Sequence, residues 1–113
     1  MRRIAGVLAV LVLLALPAVA FGADPLRSRQ WNLDMVQSDQ AHSLATGAGA
    51  VVAVVDSGVM AGHPDLQGRL RAGYDFVEND ATPQDENGHG THVSGIVAAN
   101  TDNAIGIASA TRS

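Results

Sequence analysis

Cysteine is absent from the 113 residues, and so is lysine. Without cysteine there is no disulfide framework, no thiolate zinc site and no cysteine nucleophile. The lipid-attachment cysteine of a bacterial lipoprotein is missing as well. Positive charge is scarce: the seven bases are all arginine, set against eleven acids, for a formal net charge of −4 and a pI near 5.3. That balance excludes a nucleic-acid binder working through a basic patch. Apolar residues make up 47% of the chain, but many crowd into its first segment, so the remainder is the size of one small domain.

That first segment reads as an address. Met1-Arg2-Arg3 is a basic start, residues 4–16 are an apolar run, Pro17 breaks it, and Ala18-Val19-Ala20 is a small-x-small cleavage signature. This is the plan of a secretory signal peptide over residues 1–20, cut after Ala20, with only transient membrane contact. The rival is a membrane anchor, since no charge falls between Arg3 and Asp24; Pro17 and the Ala-x-Ala site shorten the apolar core and favour the signal. After removal five arginines face eleven acids, a net charge of −6, and the product is expected outside the cell.

Residues 21–32 lack a clear period and read as an extended arm. Residues 33–46 place Leu33, Val36, Ala41, Leu44 and Ala45 at helical spacing, with Gly47 as the stop. Residues 50–55 are a short apolar run rich in valine, the pattern of a strand buried on both faces of a parallel sheet. Weaker strands are expected at 70–77 and 105–108, an acidic loop at 78–88, and a helix at 89–100 with Val93, Ile96 and Val97 on one face. Helix, buried strand, loop, helix, strand is an α/β order. Three strands are few for a sheet covered on both faces, so residues 21–113 read as the front part of a larger domain.

Asp56 follows the valine run directly and would sit at the carboxyl end of a buried strand, where open α/β sheets gather functional groups; a turn aspartate in Asp-Ser-Gly is the bland alternative. His89 stands between Gly88 and Gly90 at a helix start, where its ring has room. Taken together, a histidine and a carboxylate are what a general base and its orienting partner require. The stretches Val52-Ala53-Val54-Val55-Asp56-Ser57-Gly58-Val59, His63-Pro64-Asp65-Leu66 and Gly88-His89-Gly90-Thr91-His92-Val93-Ser94-Gly95 resemble the subtilisin-like serine proteases (subtilases). Asp24-Pro25, Gln30-Trp31 and residues 74–84 bring the chain near the thermitase branch of that family. The resemblance implies a doubly wound parallel-sheet fold, incomplete here, and a secreted endopeptidase acting on polypeptides. In it Asp56 and His89 would be the triad acid and base, with Ser57 and Thr91 as neighbours and not nucleophiles. The Gly-Thr-Ser-Met-Ala motif of the family's nucleophile does not occur in the 113 residues, so the chain is expected to be truncated before it and inactive alone.

Asp75, Glu78, Asp80, Thr82 and Gln84 are oxygen-bearing, and the last four alternate, a spacing that can surround one hard cation; a solvated acidic loop is the plainer reading. The resemblance implies calcium there. It also implies a second, tighter calcium site from Asp24, Asp65 and Asn103, completed by the carbonyls of Asn100, Ile105 and Ile107. Two further readings compete with the protease: a secreted, non-catalytic relic or calcium-binding module, and a metallohydrolase built on His89, His92 and Asp56. The last lacks a His-Glu-x-x-His motif.

Overall fold

The computed structural model describes residues 22–112; the expected signal peptide lies outside them. Among the described residues the regular elements are helices: α1 (Trp31–Met35), α2 (Ser38–Ala41) and α3 (His89–Ala98), with 3₁₀ turns at Arg27–Arg29 and Pro64–Leu66. No described residue lies in a strand.

The expected sheet is therefore not observed. Residues 51–55 make no backbone hydrogen bond to any other described segment, and Val51, Val52 and Val55 are exposed. A strand exists only through its ladder, and an apolar run exposed in this way has no neighbour supplying one. Residues 70–77 contribute one isolated antiparallel bridge, Asp75 to Asp80, which closes a tight loop. Around residues 105–108 most partners are side chains: Ile107 N–H donates to Asp65 (3.1 Å), while the Gln30 amide both donates to the Ala108 carbonyl (2.7 Å) and accepts from its N–H (2.8 Å). One backbone bond joins them, from the Leu26 N–H to the Gly106 carbonyl (3.0 Å). Gln30 thus imitates one rung of a ladder and ties the N-terminal arm to this segment.

The single helix expected over 33–46 is two short ones. Gln37 takes a left-handed conformation (φ 55°) between α1 and α2 and interrupts the ladder. Of the periodic apolar positions only Leu33 is buried, whereas Val36 and Leu44 are exposed. Helices this short depend on packing rather than propensity, and packing holds only one end. Arg27 bridges the break through Asp34 (2.7 Å) and Asp39 (2.9 Å).

α3 matches its expectation closely but buries a different side. Gly90, Ser94 and Gly95 face inward, while Val93, Ile96 and Val97 are half-buried. A flank of small residues lets other backbone come close. The apolar core is small: Leu33, Leu66, Ala99 and Ala108. Burial of each leucine contributes roughly 1.5–3 kcal/mol. Buried Asp24, Gln30, Asp65, Asp85 and Ser109 stand beside it, so side-chain to backbone hydrogen bonds carry much of the connection between segments.

Candidate active site

Asp56 ends the valine run and His89 opens α3. Two close approaches bring these segments together. Gly58 has a positive φ of 109°, and a side chain there would meet the Pro83 and Gln84 carbonyls at 2.7 Å. A side chain on Gly90 would collide with the Gly58 carbonyl. Glycine at both positions lets the Asp56 loop lie directly against the head of α3. Val59 N–H donates to the Pro83 carbonyl (2.8 Å) and holds the loop from its other side.

In this arrangement Nδ1 of His89 lies 2.8 and 2.9 Å from the two carboxylate oxygens of Asp56. A carboxylate only accepts, so the ring proton sits on Nδ1, and Nε2 of the neutral ring is left as an acceptor. The Asp56 side chain is 18% exposed and the His89 ring 64%. One end of the pair is sheltered and the other is open. The bond from His89, with help from the Ser57 N–H (2.7 Å), holds the Asp56 carboxyl below its ordinary range. The same bond and the Asp56 charge raise His89 above its ordinary value, with a further push from the Asp85 charge. The geometry thus favours an imidazolium once Nε2 has taken a proton.

Asp85, not singled out from the sequence, is buried at the centre of the arrangement. Its carboxylate accepts from the Ser57 hydroxyl (2.9 Å), the Asn87 and Gly88 N–H groups (3.0 and 2.7 Å), and the N–H and hydroxyl of Thr91 (2.8 and 2.5 Å). The Thr91 hydroxyl foremost holds Asp85 well below the usual carboxylate range. The available sequence signal was an aspartate just ahead of a helix start, where orphan N–H groups need an acceptor. Ser57 and Thr91 occupy the neighbouring places expected of them.

Residues 47–111 match the Subtilase family. The chain belongs to the subtilase family. It is 54% identical over 81 residues to thermitase of Thermoactinomyces vulgaris, covering 72% of this chain and 29% of that protein. It is 50% identical over 80 residues to a thermophilic serine proteinase of a Bacillus species (strain AK1), covering 70% and 20%. It is 45% identical over 82 residues to subtilisin BL of Lederbergia lenta, covering 72% and 29%. The chain spans less than a third of the length of each of these relatives.

The candidate calcium residues fall into two unequal groups. Asp24 and Asp65 are buried, 5% and 2% exposed, and neither pairs with a cationic side chain among the described residues. Asn103 joins them: its N–H donates to Asp24 (3.2 Å) and its amide to Asp65 (2.9 Å). Asn100 N–H donates to the Asp65 carbonyl (2.8 Å). Ile105 N–H donates to the Asn103 side chain (3.0 Å), and Ile107 N–H to Asp65. All six residues are thereby linked. In the acidic loop, by contrast, Asp75 accepts from Val77 and Glu78 N–H, Asp80 accepts from Thr82 N–H, and Glu78, Thr82 and Gln84 are exposed. Among the described residues no three histidine or acidic side chains gather as a metal group. Asp75, Glu78 and Asp80 do not come together as such a group, nor do His89, His92 and Asp56.

Proposed function

We propose that this chain supplies the acid and base of a secreted serine endopeptidase that cleaves polypeptides by acyl transfer. The observation that carries the reading is the Asp56–His89 pair, bonded through Nδ1 with the ring open on its other side. His89 takes the proton of a serine hydroxyl at Nε2 and returns it to the leaving amine. Asp56 fixes the tautomer and stabilises the charged ring between those steps. No serine of the 113 residues lies in the family's Gly-Thr-Ser-Met-Ala context, so the role given to these residues is that of acid and base, and the reaction needs a serine hydroxyl beside them. Export follows from residues 1–20, with removal near Ala20.

Calcium enters as a structural ion at the buried group. Asp24, Asp65 and Asn103, with the carbonyls of Asn100, Ile105 and Ile107, would hold it. Two buried carboxylates without a cationic partner among the described residues, together with those amide and carbonyl oxygens, form a donor set of the kind a hard cation takes. A bound ion would supply counter-charge there and take no part in proton transfer. Asp75, Glu78, Asp80, Thr82 and Gln84 would form a weaker site, a reading supported by their spacing and by the family resemblance. The buried group also sustains the second reading, a calcium-binding module without turnover.

The test is a chimaera. The 81 matched residues of thermitase are replaced by those of this chain, and peptide hydrolysis is measured. Activity that disappears in His89→Ala supports the endopeptidase reading. A folded chimaera that hydrolyses nothing while still binding calcium supports the module.

A further inference from the structure

We propose that Asp85 is a positioning residue for the Asp56–His89 pair, fixing the loop of one against the helix of the other. The role rests on the endopeptidase reading for its consequence, but the geometry stands by itself.

Five donors converge on this one buried carboxylate, and they come from both sides of the pair. Ser57 follows Asp56 in the chain, and Gly88 precedes His89. The two hydroxyls act as relays. The Ser57 hydroxyl gives its proton to Asp85 and its lone pair to the Gly90 N–H (3.0 Å), the residue after His89. The Thr91 hydroxyl gives its proton to Asp85 and its lone pair to the Met60 N–H (2.9 Å), back on the Asp56 side. Each relay crosses between loop and helix, and each keeps its direction only while Asp85 is a pure acceptor. At Gly58 and Gly90 the backbones touch with no side chain between them. Registration of loop on helix therefore falls to these hydrogen bonds beside the Asp56–His89 bond itself.

Asparagine has the same shape as aspartate but places two N–H donors where an accepting oxygen was. Asp85→Asn must turn at least one relay round or break it. The pair would survive chemically, with Asp56 and His89 both present, but would be misplaced. Misplacement of catalytic groups by about an ångström costs on the order of 100-fold in rate.

The experiment uses the chimaera with thermitase and two readouts. One is the kcat and KM for a peptide substrate; the other is the low-field NMR signal of the proton between His89 Nδ1 and Asp56. Asp85→Asn is expected to lower kcat by roughly 10- to 100-fold with KM within about twofold, and to shift or broaden the ring-proton signal. Thr91→Val removes one relay without changing any charge and should act in the same direction. Thr91→Ser keeps the hydroxyl and should restore most of the loss. A residue that merely capped α3 would lower stability and leave kcat and the ring proton alone. Unchanged kcat and an unchanged signal in folded Asp85→Asn would overturn the proposal. If that variant does not fold, equal behaviour of Thr91→Val and Thr91→Ser would overturn it. A folded parent chimaera that hydrolyses nothing instead overturns the endopeptidase reading, and the ring-proton signal then decides the positioning role.

Discussion

Asp56 holds the Nδ1 edge of His89 with both carboxylate oxygens, although the two residues stand 33 positions apart in the chain. The contact shifts the two groups in opposite directions, Asp56 below its ordinary 3.8 and His89 above its ordinary 6.5. The Asp56 contribution to stability is present above pH 3.8 and fades as pH falls through the lowered midpoint. The His89 contribution is full below pH 6.5 and fades as pH rises through the raised midpoint. The pair thus stabilises the fold most between those two values. NMR titration of the His89 ring should place its midpoint above 6.5, and Asp56→Asn should move it back down. An identical midpoint in both proteins would show that the pair is not bonded in solution.

Catalysis should divide sharply between the chain and the chimaera. The 113-residue chain should not react with a fluorophosphonate probe, because none of its serines has the context of an activated nucleophile. In the chimaera with thermitase, His89→Ala should abolish measurable turnover, and Asp56→Asn should cost about 10⁴-fold in kcat by permitting the wrong tautomer. Probe labelling of the chain that disappears in His89→Ala would contradict this.

Substitution of the two contact glycines should be costly without touching any charge. Gly90→Ala drives a methyl group into the Gly58 carbonyl, an overpacking that typically costs about 1–3 kcal/mol. Gly58→Ala meets the Pro83 and Gln84 carbonyls and also forces a side chain into a positive φ, a strain of similar size, about 1–3 kcal/mol. Gly88→Ala, at φ 91° but with nothing nearby, should show only the second effect. Denaturant midpoints would rank the three, and a Gly90→Ala as stable as the parent would mean that the approach is looser than observed.

The Asp56 and His89 segments were legible because each announced itself locally. A carboxylate stood at the end of an apolar run, and a histidine stood between glycines at a helix start. α3 was legible for the same reason, to within two residues at its end. Asp85 was not, since its role comes from Ser57 and Thr91, which lie on opposite sides of it in sequence. The acidic loop at 78–88 carries no local mark that distinguishes its carboxylates, yet the fold buries Asp85 and exposes Asp80. The strand at 50–55 shows the opposite limit. Its residue pattern describes an environment on both faces, and the described residues do not provide one. The long helix at 33–46 failed because periodicity cannot report that Val36 and Leu44 lack a covering surface.

Calcium should raise thermal stability through the buried group first. Asp24 and Asp65 are buried, are joined through Asn103 and have no cationic partner among the described residues, so an ion would supply the counter-charge that they lack. An ion bound only by the folded state adds about 2.7 kcal/mol at a hundredfold excess over Kd. Asp65→Ala should therefore remove the calcium-dependent rise in Tm seen at low calcium. Asp80→Ala should leave that rise intact and reduce only the further gain at high calcium, because Glu78, Asp80, Thr82 and Gln84 are exposed and Asp75 and Asp80 already bond nearby backbone. Melting curves of the chimaera across a calcium titration would check both. If neither variant changes the calcium response, both oxygen clusters are solvated or self-satisfied and no ion belongs to them. If Asp80→Ala is the more damaging at low calcium, the ranking of the two groups is reversed.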